Sequence, residues 1–487
     1  MREYDDARKF DARKFDSNVQ IIKNRVLTEV AKRLWCGEDI FRSFDSISAK
    51  VILPDEPSTS CCIYKDRAKL AERIRVALGG NDDVSGIIEI IGLICDECPE
   101  AGHTVTDLCR GCLAHSCQAA CRLGAISYEN NHAVIDKSKC VECGQCAKAC
   151  PYSAITNFKR PCEKACKANA ISMGPGGEAV INYSKCTSCG VCMIRCPFGA
   201  PIDKSYISEV IDIIKGSRDN EEYPVIAVVA PAIASQFSPI ETGRVITAIR
   251  KLGFKEVYEA ALGADVTAYK ESAELEEKGR LISSCCPAFV EYIEKKYPAL
   301  VPAVSHNLSP MAEISRIIKT ERPDARIVFI GPCTAKKAEI KRDRVSPYVD
   351  SVITFEELLA LLDSREIDLE LQEIGEMDQA TGYGRKFAHS GGVSGAVVRA
   401  LEERGSTFEV NAICVSGFDK IKPVLSKAAK EQLEQNFIEG MACQGGCTGG
   451  AGCLKHTPRQ DAEIDKHASE AGHDEISERY NSVKSLC

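Results

Sequence analysis

Sixteen of the 27 cysteines in this 487-residue chain fall between Cys95 and Cys196. That density limits what the segment can become. A secreted disulfide scaffold is one solution, but such scaffolds are short. The start of the chain, MREYDDARKFDARKF, is charged from its second residue and has no apolar stretch to act as a secretory signal. Repeated C-x2-C spacing in a long chain of this kind predicts metal ligation by reduced thiolates, and with it a cytoplasmic setting. With 62 Lys+Arg against 70 Asp+Glu the net charge is -8, so no basic excess points to a nucleic-acid partner. No apolar run reaches the ~18–20 residues of a membrane helix.

One phrase recurs four times: Cys117-QAA-Cys121-RLGAI, Cys146-AKA-Cys150-PYSAI, Cys162-EKA-Cys166-KANAI and Cys192-MIR-Cys196-PFGAPI. It is the second half of a bacterial ferredoxin motif. Two copies are complete, Cys140, Cys143, Cys146 and Cys150 followed by Pro151, and Cys186, Cys189, Cys192 and Cys196 followed by Pro197. In paired motifs three cysteines hold one cube and the fourth reaches across to the other. The expected partition is therefore one [4Fe–4S] cluster on Cys140, Cys143, Cys146 and Cys196, and another on Cys186, Cys189, Cys192 and Cys150. Cys109, Cys112, Cys117 and Cys121 form a looser variant, and Cys95-DE-Cys98 is a C-x2-C without a trailing pair. Symmetry then predicts a third cluster on Cys109, Cys112, Cys117 and Cys166, and a fourth on Cys95, Cys98, Cys162 and Cys121. His103 and His115 are alternative ligands, although sixteen thiolates already complete four cubanes. Structural zinc is the competing assignment; it lacks the crossed arrangement. Four clusters in series suit a wire that carries electrons one at a time.

The rest of the chain divides around this array. Residues 1–90 read as a polar helical region, with helical spacing in Val26–Trp35 and Leu70–Leu78. DARKF is repeated at Asp6–Phe10 and Asp11–Phe15, as a partner-binding arm or a solvated helical face. Residues 91–205 form the cysteine-rich domain. Residues 206–455 alternate apolar runs (Pro224–Ala230, Arg280–Ser284, Arg326–Gly331, Val410–Gly417) with helical periods such as FVEYIEKKY and SGAVVRALEE, which predicts an α/β domain. Residues 456–487 read as a polar tail.

Five more cysteines sit in three separate loops of that α/β domain, SSCCPAFV (Ser283–Val290), GPCTAKKAE (Gly331–Glu339) and EGMACQGGCTGGAG (Glu439–Gly452). Two of the loops follow strand ends, where α/β folds place their sites. The glycines around Cys443 and Cys447 are expected to let backbone approach a bulky inorganic group. The Cys285-Cys286 pair alone also admits a vicinal disulfide or two buried thiols. Cys36, Cys61, Cys62 and Cys487 show no ligand spacing. Cys453 follows the third loop closely, and Cys414 reads as a small core hydrophobe in a buried strand.

In order and content these loops resemble the three signature segments of [FeFe]-hydrogenases, T-S-C-C-P, M-P-C-x-x-K and M-A-C-x-x-G-C. The resemblance spans roughly residues 95–455, and the helical start and cluster array look most like the monomeric group B branch. It implies an α+β and α/β architecture in which a helical N-terminal segment and a ferredoxin-like multi-[4Fe–4S] domain precede a two-lobed H-cluster domain. The implied cofactor is the H-cluster, a [4Fe–4S] cube joined to a two-iron site bearing CO, cyanide and an azadithiolate. Its cube would be held by Cys286, Cys333, Cys443 and Cys447, the last bridging to the two irons. Lys336 would donate to a cyanide, Met441 would pack at the bridge, and Ala230, Pro231 and Pro332 would wall the pocket. Cys285 matches the thiol that passes protons to the azadithiolate, and Glu271, Glu274 and Ser305 match a relay behind it. A charged solvated face is the other reading of those glutamates, because Glu276 and Glu277 follow directly.

The match departs at Gly331 (usually methionine), Met311 (glutamine), Asn307-Leu308 (a lysine expected) and Gly395 (glutamate). The function implied is an anaerobic, cytoplasmic hydrogenase catalysing reversible proton reduction. Ferredoxin or flavodoxin would be its electron partner, and dedicated maturation proteins would build its cofactor. An iron–sulfur assembly factor or a hydrogen sensor of the same ancestry would keep many of the same cysteines.

Overall fold

A computed structural model of the chain describes residues 15–52, 62–96, 98–99 and 101–486. The first DARKF copy, all but the last residue of the second, Cys61 and Cys487 lie outside those residues.

Helix α1, Asn18–Cys36, starts where the Ser17 side chain accepts the backbone N–H of Gln20 and ends at Gly37 in the left-handed region, φ 70. Its apolar stripe, Val26, Leu27, Val30 and Ala31, is buried. Helix α2, Ile63–Ala77, packs beside it and buries Leu70 and Ile74. The polar side of α1 is also covered. Lys23 Nζ lies 2.6 Å from both Asp203 and Glu356, carboxylates of the cysteine-rich and catalytic regions. Lys337, wholly buried, joins the same Asp203 and also Glu357, each at 2.8 Å. Burial alone would lower Lys23, but the facing carboxylates raise it, and the two lysines hold Asp203 well below the usual carboxylate range. This network ties the N-terminal helices to the rest of the molecule.

Two similar modules follow. Strand β1, Ile88–Ile90, precedes the first cysteines. The outer module comprises β2 (Gly102–Val105), β3 (Ile126–Glu129), β4 (His132–Ile135) and β5 (Ile155–Phe158). In it β2 pairs with β5 and β3 with β4, all antiparallel, around the short helices α3 (Ser116–Ala119) and α4 (Gln145–Ala149). The inner module adds β6 (Ile171–Met173), β7 (Ala179–Ile181) and β8 (Pro201–Asp203). There β6 pairs with β7 and β1 with β8, around α5 (Pro161–Ala165) and α6 (Val191–Arg195).

The catalytic half has two lobes, each built on a parallel sheet. The first sheet has the order β10-β9-β12-β13, from β9 (Val225–Val229), β10 (Glu256–Glu259), β12 (Arg326–Gly331) and β13 (Ser351–Thr354). The second has the order β11-β15-β14, from β11 (Leu281–Ile282), β14 (Ala412–Ser416) and β15 (Phe437–Met441). Every residue of β9 and β15 is buried, as central parallel strands require. Helices α7 (Ala260–Lys278), α8 (Pro287–Lys296), α9 (Pro310–Glu321), α10 (Thr334–Glu339), α11 (Phe355–Ser364) and α12 (Gly392–Glu403) surround the sheets. The strand expected over Arg280–Ser284 shortens to two residues because the chain turns at once into the cysteine loop. Cys414 is exposed rather than part of the core: β14 is an edge strand, and that face of it is left uncovered. Among the described residues no helix is long and apolar enough to cross a membrane.

Candidate functional site: a thiol cage, a proton line and four thiol groups

The catalytic loops meet where the two sheets end. Cys286 caps the N-terminus of α8 and Cys333 that of α10, while Cys443 and Cys447 follow β15. The Cys286 Sγ accepts the backbone N–H of Ala442 at 3.5 Å, and the Pro332 carbonyl accepts that of Gly452 at 2.8 Å, so the three loops are stitched together. All four thiols are free, as is Cys285. Burial, with neighbouring thiols adding, pushes Cys333 and Cys447 up to about 12 and raises Cys443; burial also raises Cys286, against the backbone N–H groups and Lys336 that lower it. Four thiols crowded in this way become thiolates when a cationic inorganic group takes them up. Four thiols carried by three loops match the all-cysteine donor set of a [4Fe–4S] cube.

Lys336 is buried beside this cage. Its Nζ donates to Ser309 Oγ at 2.7 Å and to Glu339 at 2.6 Å. Burial alone would lower it, but Glu339 raises it, so it stays cationic. An ammonium has three donors, and these bonds use two of them. Met441 is buried at the end of β15, and Ala230 closes the end of β9.

Behind Cys285 runs a line of exchangeable groups. Burial and the Glu271 carboxylate raise the Cys285 thiol well above its ordinary value. Glu271 is fully buried on α7; its Oε1 accepts from Ser284 N at 3.1 Å and Ser284 Oγ at 3.2 Å, and its carboxyl also faces the Ser305 hydroxyl. Burial pushes its carboxyl up to about 7. Ser305 Oγ donates to Glu274 at 2.8 Å, as does Asn307 Nδ2, while Lys278 approaches at 2.7 Å and His306 Nδ1 at 2.9 Å. Burial would raise Glu274, but those donors hold it low. The solvated-face reading of Glu271 fails. Sequence reasoning missed Ser284 and His306, which adjoin residues it had singled out, and read Asn307 only as a departure from the motif.

The sixteen N-terminal thiols group otherwise than by the expected partition. Cys109, Cys112, Cys117 and Cys150 line one cavity; Cys121, Cys140, Cys143 and Cys146 line a second; Cys95, Cys98, Cys162 and Cys196 line a third. Cys166 faces Cys186, Cys189 and Cys192. Each trailing cysteine thus crosses to its partner within its own module, because α3 packs on α4 and α5 on α6. The expectation that Cys196 joins Cys140 and Cys150 joins Cys186 is corrected, as are those for Cys166 and Cys121. The two complete motifs are not partners; each pairs with the degenerate motif before it. The recurring Ala-Ile also gains a reason: Ala125, Ala154 and Ala170 donate backbone N–H groups to Cys121, Cys150 and Cys166 at 3.3, 3.4 and 3.2 Å. His115 stacks on Tyr128, and His103 bonds Glu142 at 2.5 Å beside the second cavity.

The inner module abuts the cage. Thr334 Oγ1, next to Cys333, donates to Ser188 O at 2.7 Å, and Cys189 faces Cys443. Cys453 is buried and donates to the Thr448 carbonyl at 3.2 Å, bracing the Cys447 turn.

The departures have local causes. A Cβ on Gly331 would lie 2.6 Å from the Phe329 ring and 3.0 Å from Ala230, so no methionine fits. Met311 is 1% exposed and packs in the core. Asn307 supports Glu274, and the space beside Gly395 is open. A Cβ on Gly446 would lie 2.7 Å from the His389 backbone, so that glycine admits a neighbouring segment of chain rather than an inorganic group.

Comparison with known proteins gives three family matches. The family model "Iron only hydrogenase large subunit, C-terminal domain" matches residues 223–451, a 4Fe-4S binding domain matches 133–156, and a 4Fe-4S dicluster domain matches 160–200. Iron hydrogenase 1 of Clostridium pasteurianum is 29% identical over 387 residues, 68% of this chain and 66% of that protein. The cytosolic Fe-S cluster assembly factor NAR1 of Eremothecium gossypii is 34% identical over 123 residues, 24% of this chain and 27% of its own. The chain thus matches less than two thirds of the length of either relative. An apo variant of an [FeFe]-hydrogenase from Chlamydomonas reinhardtii is 23% identical with a TM-score of 0.49, covering 58% of this chain and 93% of that one.

Proposed function

The chain belongs to the iron-only hydrogenase family, and on that premise we propose that it interconverts protons, electrons and hydrogen, 2 H⁺ + 2 e⁻ ⇌ H₂, at an H-cluster. Cys286, Cys333, Cys443 and Cys447 would hold the cube, with Cys447 bridging to the two-iron site. When bound, that cofactor supplies the centre at which hydrogen forms or splits and an amine that exchanges the proton.

The observation that carries the reading is the proton line beside the cage. Cys285 receives or delivers a proton at its Sγ. Glu271, whose carboxyl titrates near 7, is neutral often enough to donate and ionised often enough to accept. Ser305 and Glu274 continue the line to the exposed Lys278 and His306. Lys336 keeps a fixed positive charge and one spare N–H at the two-iron side, and Met441, Ala230, Pro231 and Pro332 exclude water. Electrons would pass through four [4Fe–4S] clusters, from the outer module to the group of Cys189, which adjoins the cage. The electron partner would be a ferredoxin or flavodoxin in an anaerobic cytoplasm, and maturation proteins would insert the two irons.

Infrared spectroscopy of protein produced with the maturation enzymes tests this. CO and cyanide stretching bands are the expected result. Their absence from a sample with full iron in the wire would leave the second reading, an iron–sulfur assembly protein, which the similarity to NAR1 favours. Bands with only feeble hydrogen evolution from reduced ferredoxin would mark a sensor.

A further inference from the structure

Four thiol groups in series need not be equivalent, and the side chains around them differ. At the group of Cys95, Cys98, Cys162 and Cys196, the Arg160 side chain is 3% exposed. Its Nη1 donates to Cys95 Sγ at 3.1 Å, its Nε to Pro99 O at 3.1 Å and its Nη2 to Cys98 O at 3.3 Å. The Ala179 backbone N–H adds a second hydrogen bond to Cys95 Sγ, at 3.2 Å. Arg73, also buried, faces Cys196 and donates to Phe198 O at 3.2 Å.

The other groups receive nothing comparable among the described residues. At Cys117 the donor is the neutral Tyr128 hydroxyl at 3.1 Å, and Cys140 faces the Glu142 carboxylate. Lys295 approaches Cys186, but its Nζ bonds carbonyls, and Glu291 pairs with it at 2.7 Å.

Reducing a cubane adds one negative charge and no proton. A buried guanidinium cannot deprotonate, and its hydrogen bond to a ligand sulfur stabilises the reduced cluster more than the oxidised one. A nearby carboxylate does the reverse. We propose that Arg160 makes the cluster on Cys95, Cys98, Cys162 and Cys196 the highest-potential station of the wire, a resting place for one electron where the outer module joins the inner. A one-electron wire feeding a two-electron reaction gains from such a station, because the first electron is held while the second arrives. The proposal rests on the reading of these thiols as cubane ligands and not on hydrogen turnover.

The test uses the full chain without its two-iron site, titrated with dithionite and mediators and followed by electron paramagnetic resonance. Arg160→Gln is expected to make one wire cluster about tenfold harder to reduce, ~59 mV for one electron, and to leave the other three in place. Arg160→Lys, which keeps the charge, is expected to shift it less. Unchanged midpoints in Arg160→Gln overturn the proposal. If that variant fails to assemble the cluster, the unaltered protein decides: the signal disturbed by Cys98→Ser must be the first to appear on reduction, and any other first signal overturns it. Total iron of about 20 atoms, ~16 in the wire and ~4 in the cage cube at four per cubane, separates failure of the proposal from failure of the cluster reading.

Discussion

The outer module and the catalytic half solve one problem, gathering four thiols, by opposite means. In the outer module Cys117 and Cys146 stand on short helices and the other thiols on the adjoining loops, around a small apolar cluster of Ile126, Ala133 and Ile155. Most of each ligand set is adjacent in sequence, and Cys143 is exposed. In the catalytic half, Cys286, Cys333 and Cys443 come from loops far apart in sequence and are placed by the ends of β11, β12 and β15. The difference teaches what each site tolerates. The outer groups depend on local spacing and accept exposure, as electron entry requires. The cage depends on the whole core, and none of its four thiols is fully exposed.

Substitutions can break or sharpen that contrast. Cys443→Ser is expected to abolish hydrogen turnover while the wire keeps its iron, read by gas evolution and metal analysis; a parallel loss of wire iron would mean that the two sites assemble together. Glu271→Gln should cut turnover by ~10²–10⁴. In the unaltered protein, a carboxyl infrared band should be present below pH 7 and fade above it; the band should be missing from the variant. Because the folded carboxyl titrates near 7 rather than 4.5, ionising it costs the fold up to ~3 kcal/mol above pH 7. The variant should therefore gain stability relative to the parent as pH rises through 5 to 7, measured by denaturant melts. Lys337→Met leaves Asp203 and Glu357 facing each other and should cost ~3–5 kcal/mol in the same melts. An unchanged midpoint would show that the N-terminal helices dock by apolar contact alone.

Cys150→Ser should alter the resonance of one cluster, the same one disturbed by Cys112→Ser. If Cys189→Ser disturbs that cluster instead, the crossing within modules is wrong. The smallest effect is expected from Gly331→Met, which forces a side chain against Phe329 and should cost ~1–3 kcal/mol by overpacking.

Much of this is legible in the amino-acid sequence alone. Cysteine spacing is a local property: Cys140-x2-Cys143-x2-Cys146 must wrap one object whatever surrounds it, and the three catalytic loops announce themselves by composition. Apolar runs mark β9 and β12, since a buried parallel strand has to be hydrophobic on both faces, whereas the run at β14 belongs to an edge strand in which only Val415 is buried. Four-residue β10 and β13 are too short to stand out, and β15 carries Glu439 and Gly440, which hide it. Glu439 is nonetheless buried, its carboxylate accepting from Gly391 N at 2.6 Å and from Ser394 N and Oγ at 2.8 Å each.

Cysteine spacing alone fixes how many thiols there are and which close-set triplets, such as Cys140, Cys143 and Cys146, act together, because these follow from residues a few positions apart. Packing settles where the fourth thiol of each wire group goes. That choice depends on which helix packs against which, and the repeated motif reads the same under every pairing. The burial that sets Glu271 near 7, and the guanidinium on Cys95, belong to the same class. Both arise from side chains brought together by the packing of distant segments, and no spacing along the chain encodes them.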